Sequence, residues 1–259
     1  MTYRLTIRNR HIDTILNEIT TKIPDSETSI DLSTSYEIEG NDFFFVNTIT
    51  AENYIKILRE FPKLIKSVDM SQNELSRFNG DLVTVTQALP ENLSSLTWHN
   101  NDLAKLPADV LVNVFKALPR KLTSFNLGEN DLDTLPADVF ARAMQALPEG
   151  LETLNLTANL LRYSADEIVT IFKSLPLGLK SLNLSLCNFY RFTVYEWIKI
   201  MGALPKNLRE LGLIFNMVPV NPVDWPSIMK SMPKNLRSID LRHNGFDKLP
   251  ADDQATIFK

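Results

Sequence analysis

Cysteine, glycine and histidine are scarce in this sequence: its 259 residues include one cysteine, eight glycines and three histidines. A single cysteine cannot form a disulfide within the chain, and secreted extracellular proteins usually carry paired cysteines. The composition therefore favours a reducing compartment. The glycines are scattered along the chain and form no glycine-rich loop that would cradle a phosphate group.

The residues that usually carry catalysis or bind metals are too far apart in the sequence to act together. His99 and His243 are 144 residues apart, and His11 lies near the start of the chain. Cys187 has no histidine close to it in sequence, so a buried structural thiol is favoured over a nucleophile. The sequence thus predicts that the protein is not an enzyme and binds no metal or cofactor.

Long apolar stretches and an excess of positive charge are also missing. No continuous apolar run follows Met1, and no stretch of 18 apolar residues occurs. The sequence therefore predicts neither a signal peptide nor a membrane-spanning segment. The formal net charge is −4, which argues against general binding to nucleic acids.

What the sequence does contain is an eightfold repeat. The repeats can be aligned on one apolar position, here called the anchor, and a proline lies six residues before each anchor. The first interval between anchors is 38 residues, and the later intervals are 28 or 29 residues. A fixed period in this range indicates a stack of repeated structural units. The anchors are Ile30, Val68, Leu96, Phe125, Leu154, Leu182, Leu211 and Ile239.

Four further positions in the repeat have a defined character, and they are numbered here from the anchor. Position +2 is apolar, so it lies on the same face of a strand as the anchor. Position +5 is asparagine from the second repeat onwards, except at Cys187, and its amide can satisfy the backbone of a turn. Position +7 is apolar, including Leu161, and is predicted to close the core. Position +1 is predicted to form a hydrogen-bonded ladder that includes Asp31, Asp69, Asn126, Asn155, Asn183 and Asp240.

The second half of each repeat has apolar residues at helical spacing. Ser164 with Glu167, and Thr193 with Glu196, have the spacing of capping boxes at helix starts. A Leu-Pro or Met-Pro pair then ends each helix before the next strand. Residues 221–226 include two prolines, which are predicted to shorten the helix of that repeat.

The pattern L-x-x-L-x-L-x-x-N-x-L resembles the leucine-rich repeat, and the repeat length with its helix is similar to the ribonuclease-inhibitor subtype. The resemblance implies an α/β fold, a leucine-rich-repeat solenoid shaped as a horseshoe. In that fold a parallel sheet lines the concave side and helices cover the convex side. A solenoid of this size is one domain despite its length.

The resemblance also gives the expected domain boundaries. Residues 1–23 are expected to form an N-terminal cap, in which Leu5 belongs to a degenerate strand that takes the anchor's place. Residues 24–259 are expected to form the leucine-rich-repeat domain of eight repeats. The first repeat carries an insertion that includes Glu37–Phe45, which either lines a binding face or tucks its phenylalanines into the first core layer. The repeat pattern runs to Lys259 with no capping repeat after it, so the C-terminal cap is expected to be missing.

Positions +3 and +4 vary most between repeats and are predicted to bind a partner. Ile214 and Phe215 are apolar residues in a rim of charge, which often marks an interaction site, although single exposed apolar residues are ordinary. Position −2 turns basic at Lys180, Arg209 and Arg237, and with Arg242 this would suit an acidic patch; a solvated charged rim is the alternative. The predicted partner-binding residues are His99, Asn100, Glu129, Leu186, Ile214, Phe215, Arg242 and His243.

These features predict a protein-interaction module that is a monomer on its own and binds a folded protein partner on its concave face. The short, glycine-poor repeats punctuated by Leu-Pro resemble the leucine-rich-repeat effectors that bacteria of the Legionella type inject into host cells. That resemblance implies a bacterial protein without a signal peptide that acts in the host cytosol, on a host protein or on another injected protein. The similarity to ribonuclease inhibitor implies that binding blocks an enzyme. The alternative is an adaptor that recruits a substrate to an activity outside this chain, such as a ubiquitin ligase.

Overall fold

The structure is a computed structural model that describes residues 2–5, 10–24, 26–33, 49–216, 223–246 and 250. The chain divides into two compact units, Met1–Asn130 and Asp131–Lys259, here called the N-terminal unit and the C-terminal unit. The insertion at residues 37–45 and the segment after residue 250 lie outside the described residues. The predictions about the insertion and about a missing C-terminal cap therefore stay predictions, as do the domain boundaries.

The N-terminal unit alternates strands with helices. Short 3-10 helices at Leu75–Phe78 and Leu103–Lys105 follow the third and fourth strands. The strands are β1 (Tyr3–Arg4), β2 (Ser29–Asp31), β3 (Ser67–Asp69), β4 (Ser95–Thr97) and β5 (Ser124–Asn126). The helices are α1 (Ile12–Lys22), α2 (Ala51–Arg59), α3 (Asp81–Gln87) and α4 (Ala108–Lys116).

The C-terminal unit repeats the same plan. It has 3-10 helices at Leu132–Thr134 and Phe189–Arg191. Its helices are α5 (Ala137–Gln145), α6 (Ala165–Lys173), α7 (Val194–Gly202) and α8 (Trp225–Ser231). Its strands are β6 (Thr153–Asn155), β7 (Ser181–Asn183), β8 (Glu210–Gly212) and β9 (Ser238–Asp240).

Strands pair in parallel and in chain order within each unit, with their anchors aligned. Leu96 of β4 lies opposite Phe125 of β5, and Leu182 of β7 lies opposite Leu211 of β8. These four anchors are buried, and each fully buried apolar side chain contributes roughly 1.5–3 kcal/mol. Helices cover the same face: Phe115 of α4 meets the Phe125 ring edge-on at 5.9 Å between ring centroids. The predicted parallel sheet backed by helices, the leucine-rich-repeat fold, is confirmed.

The proline before each strand turns the chain from helix to strand. The carbonyl of Pro119 accepts a hydrogen bond from the Leu122 N–H at 3.1 Å, and the carbonyl of Pro148 accepts one from the Leu151 N–H at 3.0 Å. Leu122 and Leu151 are fully buried, so the turn also delivers a side chain to the core. Each proline therefore ends a helix and fixes the register of the strand that follows.

The helix starts behave as the sequence predicts. Ser164 accepts a hydrogen bond from the Glu167 N–H while the Glu167 carboxylate accepts from the Ser164 N–H, and Thr193 with Glu196 forms the same capping box. Helix α8 has seven residues whereas α5, α6 and α7 have nine each, with a proline in its first turn. The prediction of a shortened helix is confirmed.

The N-terminal strand is present, although its register differs from the prediction. Tyr3 pairs with the anchor Ile30, and the Leu5 N–H donates to the Asp31 carbonyl at 2.9 Å. Leu5 therefore follows the strand at the level of position +2, where it is buried, instead of taking the place of the anchor. The period of the repeat misplaces it by two residues because this first connection is shorter than the later ones.

One prediction about the core is wrong. Leu161, at position +7, was expected to close the core, but it is 38% exposed and its neighbour Leu160 is fully buried instead. No 3-10 helix forms at this point of the repeat, unlike the turns at Leu132–Thr134 and Phe189–Arg191. The irregular turn moves the buried leucine one residue forward.

Candidate partner-binding surface

Each described strand from β3 onwards leads into a turn whose residue at position +4 has a left-handed backbone. The φ angles of these residues lie between 53° and 59°, and none of the residues is glycine. The N–H of Asn100 donates to the Gly128 carbonyl, and the N–H of Leu186 donates to the Ile214 carbonyl, both at 2.9 Å. Neighbouring residues of this kind are therefore about one strand spacing apart, roughly 4.8 Å. They are called the turn row here: Gln72, Asn100, Glu129, Ala158, Leu186, Phe215 and His243.

The asparagine at position +5 lies buried beneath the turn row and satisfies its backbone. The Oδ1 of Asn130 accepts hydrogen bonds from the Asn101 N–H at 3.0 Å and the Leu103 N–H at 3.3 Å. Its Nδ2 donates to the carbonyls of Trp98 and Leu127, each at 2.8 Å. Asn101 makes the equivalent bonds one repeat earlier. This agrees with the role that the sequence predicts for the asparagine position.

The residues at position +1 bond differently from the prediction. Asn155 Oδ1 accepts from the N–H and the hydroxyl of Thr157, and Asn183 Oδ1 accepts in the same way from Ser185. These bonds run two residues along each side chain's own repeat, so they stabilise the start of the turn instead of linking neighbouring strands. A short polar side chain finds the nearest free N–H, which lies on its own backbone.

Three predicted partner-binding residues lie in the N-terminal unit. The Nε2 of His99 is 3.6 Å from an Oε2 of Glu129, and the two form an ion pair when the imidazole is protonated. Asn100, between the two in the turn row, is half-buried. The structure therefore brings the three together as a polar group.

The other five predicted residues lie in the C-terminal unit, where the turn row is apolar and aromatic. Phe215 is 51% exposed and Leu186 is 42% exposed. The ring of Phe215 stacks on the ring of His243 with 4.3 Å between centroids and an interplanar angle of 3°. Ile214, next to Phe215, is half-buried. Three consecutive repeats thus present Leu186, Phe215 and His243 as a continuous exposed strip.

Arg242 lies beside this strip but its guanidinium is engaged by its own repeat. Its Nε and Nη2 donate to the carboxylate of Asp240 at 2.9 and 2.6 Å. The hydrogen bond from Arg242 lowers the pKa of the Asp240 carboxyl below its ordinary value. Arg237 precedes strand β9 and Arg242 follows it, so the basic row at position −2 and Arg242 lie at opposite ends of the strand. The sequence had grouped them together.

Cys187 takes the asparagine place in the seventh repeat as a buried thiol. Its Sγ contacts the carbonyls of Ser185 at 3.5 Å and Leu156 at 3.7 Å. Burial raises the pKa of the thiol to about 12, against the opposite effect of nearby backbone N–H groups including that of Asn159. The thiolate needed for nucleophilic attack or metal binding is strongly disfavoured there.

Two searches bear on other kinds of site. Among the residues that the structure describes, no group of three or more histidine, cysteine, aspartate or glutamate side chains is placed to hold a metal ion. Over the same residues, no helix has both the length and the apolar character needed to cross a membrane.

Comparison with known proteins identifies two solved structures that this chain resembles. The leucine-rich-repeat-containing protein LegL7 from Legionella pneumophila matches with a TM-score of 0.81 and 28% identity, over 95% of this chain and 74% of that chain. A chain of the Rad7–Elc1 complex from yeast matches with a TM-score of 0.52 and 14% identity, over 93% of this chain and 63% of that chain. This second likeness shows the fold alone.

No protein-family profile matches the sequence, and neither does any curated protein. Leucine-rich repeats are generally non-enzymatic scaffolds whose stacked repeats form extended surfaces for protein interaction. The chain therefore has the leucine-rich-repeat fold and is similar to a leucine-rich-repeat protein of Legionella.

Proposed function

We propose that this chain is a protein-binding module without catalytic activity of its own, and that a folded protein partner docks on the turn row of the C-terminal unit. The observation that carries the proposal is the exposed strip of Leu186, Phe215 and His243 on left-handed backbone. Aromatic and aliphatic side chains of this size supply most of the binding energy at protein interfaces.

Folding gives no reason for large apolar residues at these positions. A left-handed backbone costs roughly 1–2 kcal/mol for a residue with a side chain, and glycine or asparagine tolerates it best. Asn100 and Glu129 occupy the same turn in the N-terminal unit, so polar side chains are compatible with it. Leu186 and Phe215 are about half exposed, and burial within this chain offsets only part of their cost. Contact with a partner would supply the rest.

The remaining candidates complete the proposed surface. Ile214 adjoins Phe215, and Arg242 presents a guanidinium whose contact with Asp240 leaves it exposed at the rim. In the N-terminal unit, His99, Asn100 and Glu129 would add polar contacts, which favour specificity and the rate of association more than affinity.

The proposal extends to where the protein acts. The likeness to a Legionella leucine-rich-repeat protein supports a bacterial effector that is translocated into the host cytosol. There it would bind a host protein or a co-secreted bacterial enzyme, and would block or modulate that partner by covering part of its surface. On its own the protein would be a monomer.

The experiment is a capture of partners followed by titration calorimetry. Wild-type protein is used to capture binders from host lysate and from the co-secreted bacterial proteins, and each purified candidate is then titrated. We expect Phe215→Ala and Arg242→Ala each to weaken binding by about 1–3 kcal/mol without lowering the melting temperature. The matched control is Gln72→Ala, which truncates the same backbone position in the N-terminal unit and should leave affinity unchanged. Unchanged affinity for both Phe215→Ala and Arg242→Ala would rule out this surface.

A further inference from the structure

We propose that the N-terminal ends of strands β7–β9 form a groove that binds an acidic segment of a protein, with Arg209 and Arg237 as its anion-binding residues. A cavity of about 420 Å³ opens there, entirely within the C-terminal unit. The side chains that line it are polar or charged. The cavity and its lining are called the basic groove here, and the lining includes Glu152, Lys180, Asn207, Arg209, Asn235 and Arg237.

The strand ladder holds the basic residues of the groove in line. The carbonyl of Lys180 accepts hydrogen bonds from the N–H groups of Arg209 at 2.7 Å and Glu210 at 3.0 Å. The carbonyl of Arg209 in turn accepts from Arg237 at 2.8 Å and Ser238 at 3.0 Å. The side chains at position −2 therefore start from points about one strand spacing apart, roughly 4.8 Å. The two guanidinium groups can meet neighbouring carboxylates of one bound chain.

The loops that wall the groove are fixed by their asparagines. The Nδ2 of Asn207 donates to the Leu177 carbonyl at 3.0 Å, and the Nδ2 of Asn235 donates to the Lys206 carbonyl at 3.1 Å. Each bond ties one loop to the loop of the preceding repeat. Binding therefore requires little ordering of the groove backbone, and such preorganisation favours affinity.

The charge balance shows where an anion would sit. At one end of the groove, Lys180 forms an ion pair with Glu152 and is neutralised. Arg209 and Arg237 are both exposed, and neither has an ion pair among the described residues. Two further lysines lie in the same loops, because Lys206 and Lys234 each follow the proline that starts the turn. The positive field is therefore concentrated around the two arginines.

Several features favour a short acidic peptide over a nucleic acid. The arginines span two strands, so the unpaired positive charge extends over roughly 10 Å and matches only a few carboxylates. The groove has no aromatic side chain on which a base could stack. Its other end carries Glu149 and Glu152, which would repel a long polyanion. Arginine forks bind carboxylates through two parallel hydrogen bonds, which suits aspartate and glutamate side chains.

This inference deepens the proposed protein-binding function, because it names the chemistry of a second contact with the partner. The basic groove lies at one end of strands β7–β9, and the strip of Leu186, Phe215 and His243 lies at the other end. Six residues separate positions −2 and +4, so the two surfaces are within roughly 20 Å. A partner with an apolar patch beside an acidic segment would engage both.

The test measures peptide binding directly and needs no identified partner. A fluorescent peptide of eight alternating glutamate and aspartate residues is titrated with wild-type protein, and its anisotropy is recorded at low and high salt. We expect saturable binding that weakens as salt screens the arginines. The double variant Arg209→Glu with Arg237→Glu should bind at least tenfold more weakly, and Arg209→Gln with Arg237→Gln should also lose affinity. Circular dichroism and melting curves check that both variants fold.

The matched control reverses two charges in the equivalent loop of the N-terminal unit. Arg120→Glu with Lys121→Glu makes the same change in net charge, at residues that are also exposed, and should bind the acidic peptide as the wild type does. Absence of peptide binding, or equal affinity for both double variants, would overturn the proposal. Tighter binding of an oligothymidine of the same length would overturn the choice of a peptide. Phe215→Ala should leave peptide affinity unchanged, so a failure here is separate from a failure of the proposed apolar surface.

Discussion

The two compact units share one backbone turn and place different side chains on it. In the N-terminal unit the turn row is polar, with Gln72, Asn100 and Glu129, whereas in the C-terminal unit Leu186 and Phe215 make it apolar. Beneath both rows the buried position is asparagine in every described repeat from β3 onwards, apart from the one with Cys187. The buried position is constrained because turn N–H and carbonyl groups need partners. The exposed position has no such constraint, so differences in recognition can accumulate there.

A second contrast shows how a turn is stabilised without its usual partner. The repeat of strand β6 stacks against Cys187, and its Asn159 N–H donates to the Leu156 carbonyl of its own repeat at 3.2 Å. Arg191 of the next repeat reaches back and donates to the carbonyls of Leu160, Leu161 and Tyr163. An irregular turn can thus be held from outside by a long side chain of its neighbour.

The first prediction compares the two residues found at the buried position. Asn130→Ala should destabilise the protein by about 3 kcal/mol, because the N–H groups of Asn101 and Leu103 lose their acceptor. Cys187→Ala should cost only about 1 kcal/mol, since sulfur makes weak contacts and alanine leaves a small cavity. Urea unfolding gives both values, and amide hydrogen exchange should show Asn101 and Leu103 exchanging faster in the first variant. Equal costs for the two variants would contradict the comparison.

The second prediction tests the support from outside the turn. Arg191→Ala should destabilise the C-terminal unit by about 2 kcal/mol, because three carbonyls lose a charged donor. Arg191→Lys keeps the charge but replaces a planar fork by a single ammonium group, so it should recover less than half of the loss. The two unfolding midpoints decide this. A midpoint of Arg191→Ala equal to that of the wild type would mean that the irregular turn is stable by itself.

Sequence periodicity was sufficient to predict the strands, the helices and the buried asparagines, because each follows from a position that recurs. It could not predict that Leu160 replaces Leu161 in the core, since that depends on whether one turn forms a 3-10 helix. It also assigned ladder bonds to Asn155 and Asn183, which bond along their own repeats. Partner choice in a turn depends on distances of a few tenths of an ångström.

The candidate site shows a similar division. The variability of positions +3 and +4 can be seen by aligning the repeats with one another, and this produced the predicted residues. The left-handed backbone of the turn row has no mark in the sequence, since none of its residues is glycine. The stacking of Phe215 on His243 also depends on register between repeats. For the basic groove, a signal was present in the sequence: Pro-Lys-Asn-Leu-Arg occurs twice, ending at Arg209 and Arg237.

The third prediction concerns the reactivity of the buried position. Because the pKa of Cys187 is raised to about 12 by burial, folded protein at pH 8 should be alkylated by iodoacetamide far more slowly than protein unfolded in urea. Mass spectrometry of the labelled chain measures both rates. The expected control is Asn130→Cys, whose thiol would occupy the equivalent place in the N-terminal unit and should be similarly protected. Rapid labelling of native wild-type protein would place Cys187 in an accessible site.

The smallest predicted effect concerns position +8, which is Ala104 in the N-terminal unit and Asp133 in the C-terminal unit. The Asp133 side chain is 3% exposed, and its Oδ2 has no hydrogen-bond partner among the described residues. Arg162 approaches that oxygen with its Nε at 3.7 Å. Burial raises the pKa of the Asp133 carboxyl above its ordinary value, and Arg162 opposes this only in part. The folded state therefore holds this proton more strongly than the unfolded chain does.

The sign of the pH dependence follows from that raised pKa. The contribution of Asp133 to stability is fully present below the unfolded pKa, about 4, and is lost as pH rises through the higher folded pKa. Asp133→Asn has nearly the same shape and does not ionise, so the wild type should lose stability relative to this variant between pH 4 and neutrality. Asp131→Asn removes the same charge from an exposed neighbour and should leave the slope of the profile unchanged. Urea midpoints measured across this pH range test the effect, and parallel profiles for wild type and Asp133→Asn would mean that the buried carboxyl does not titrate differently on folding.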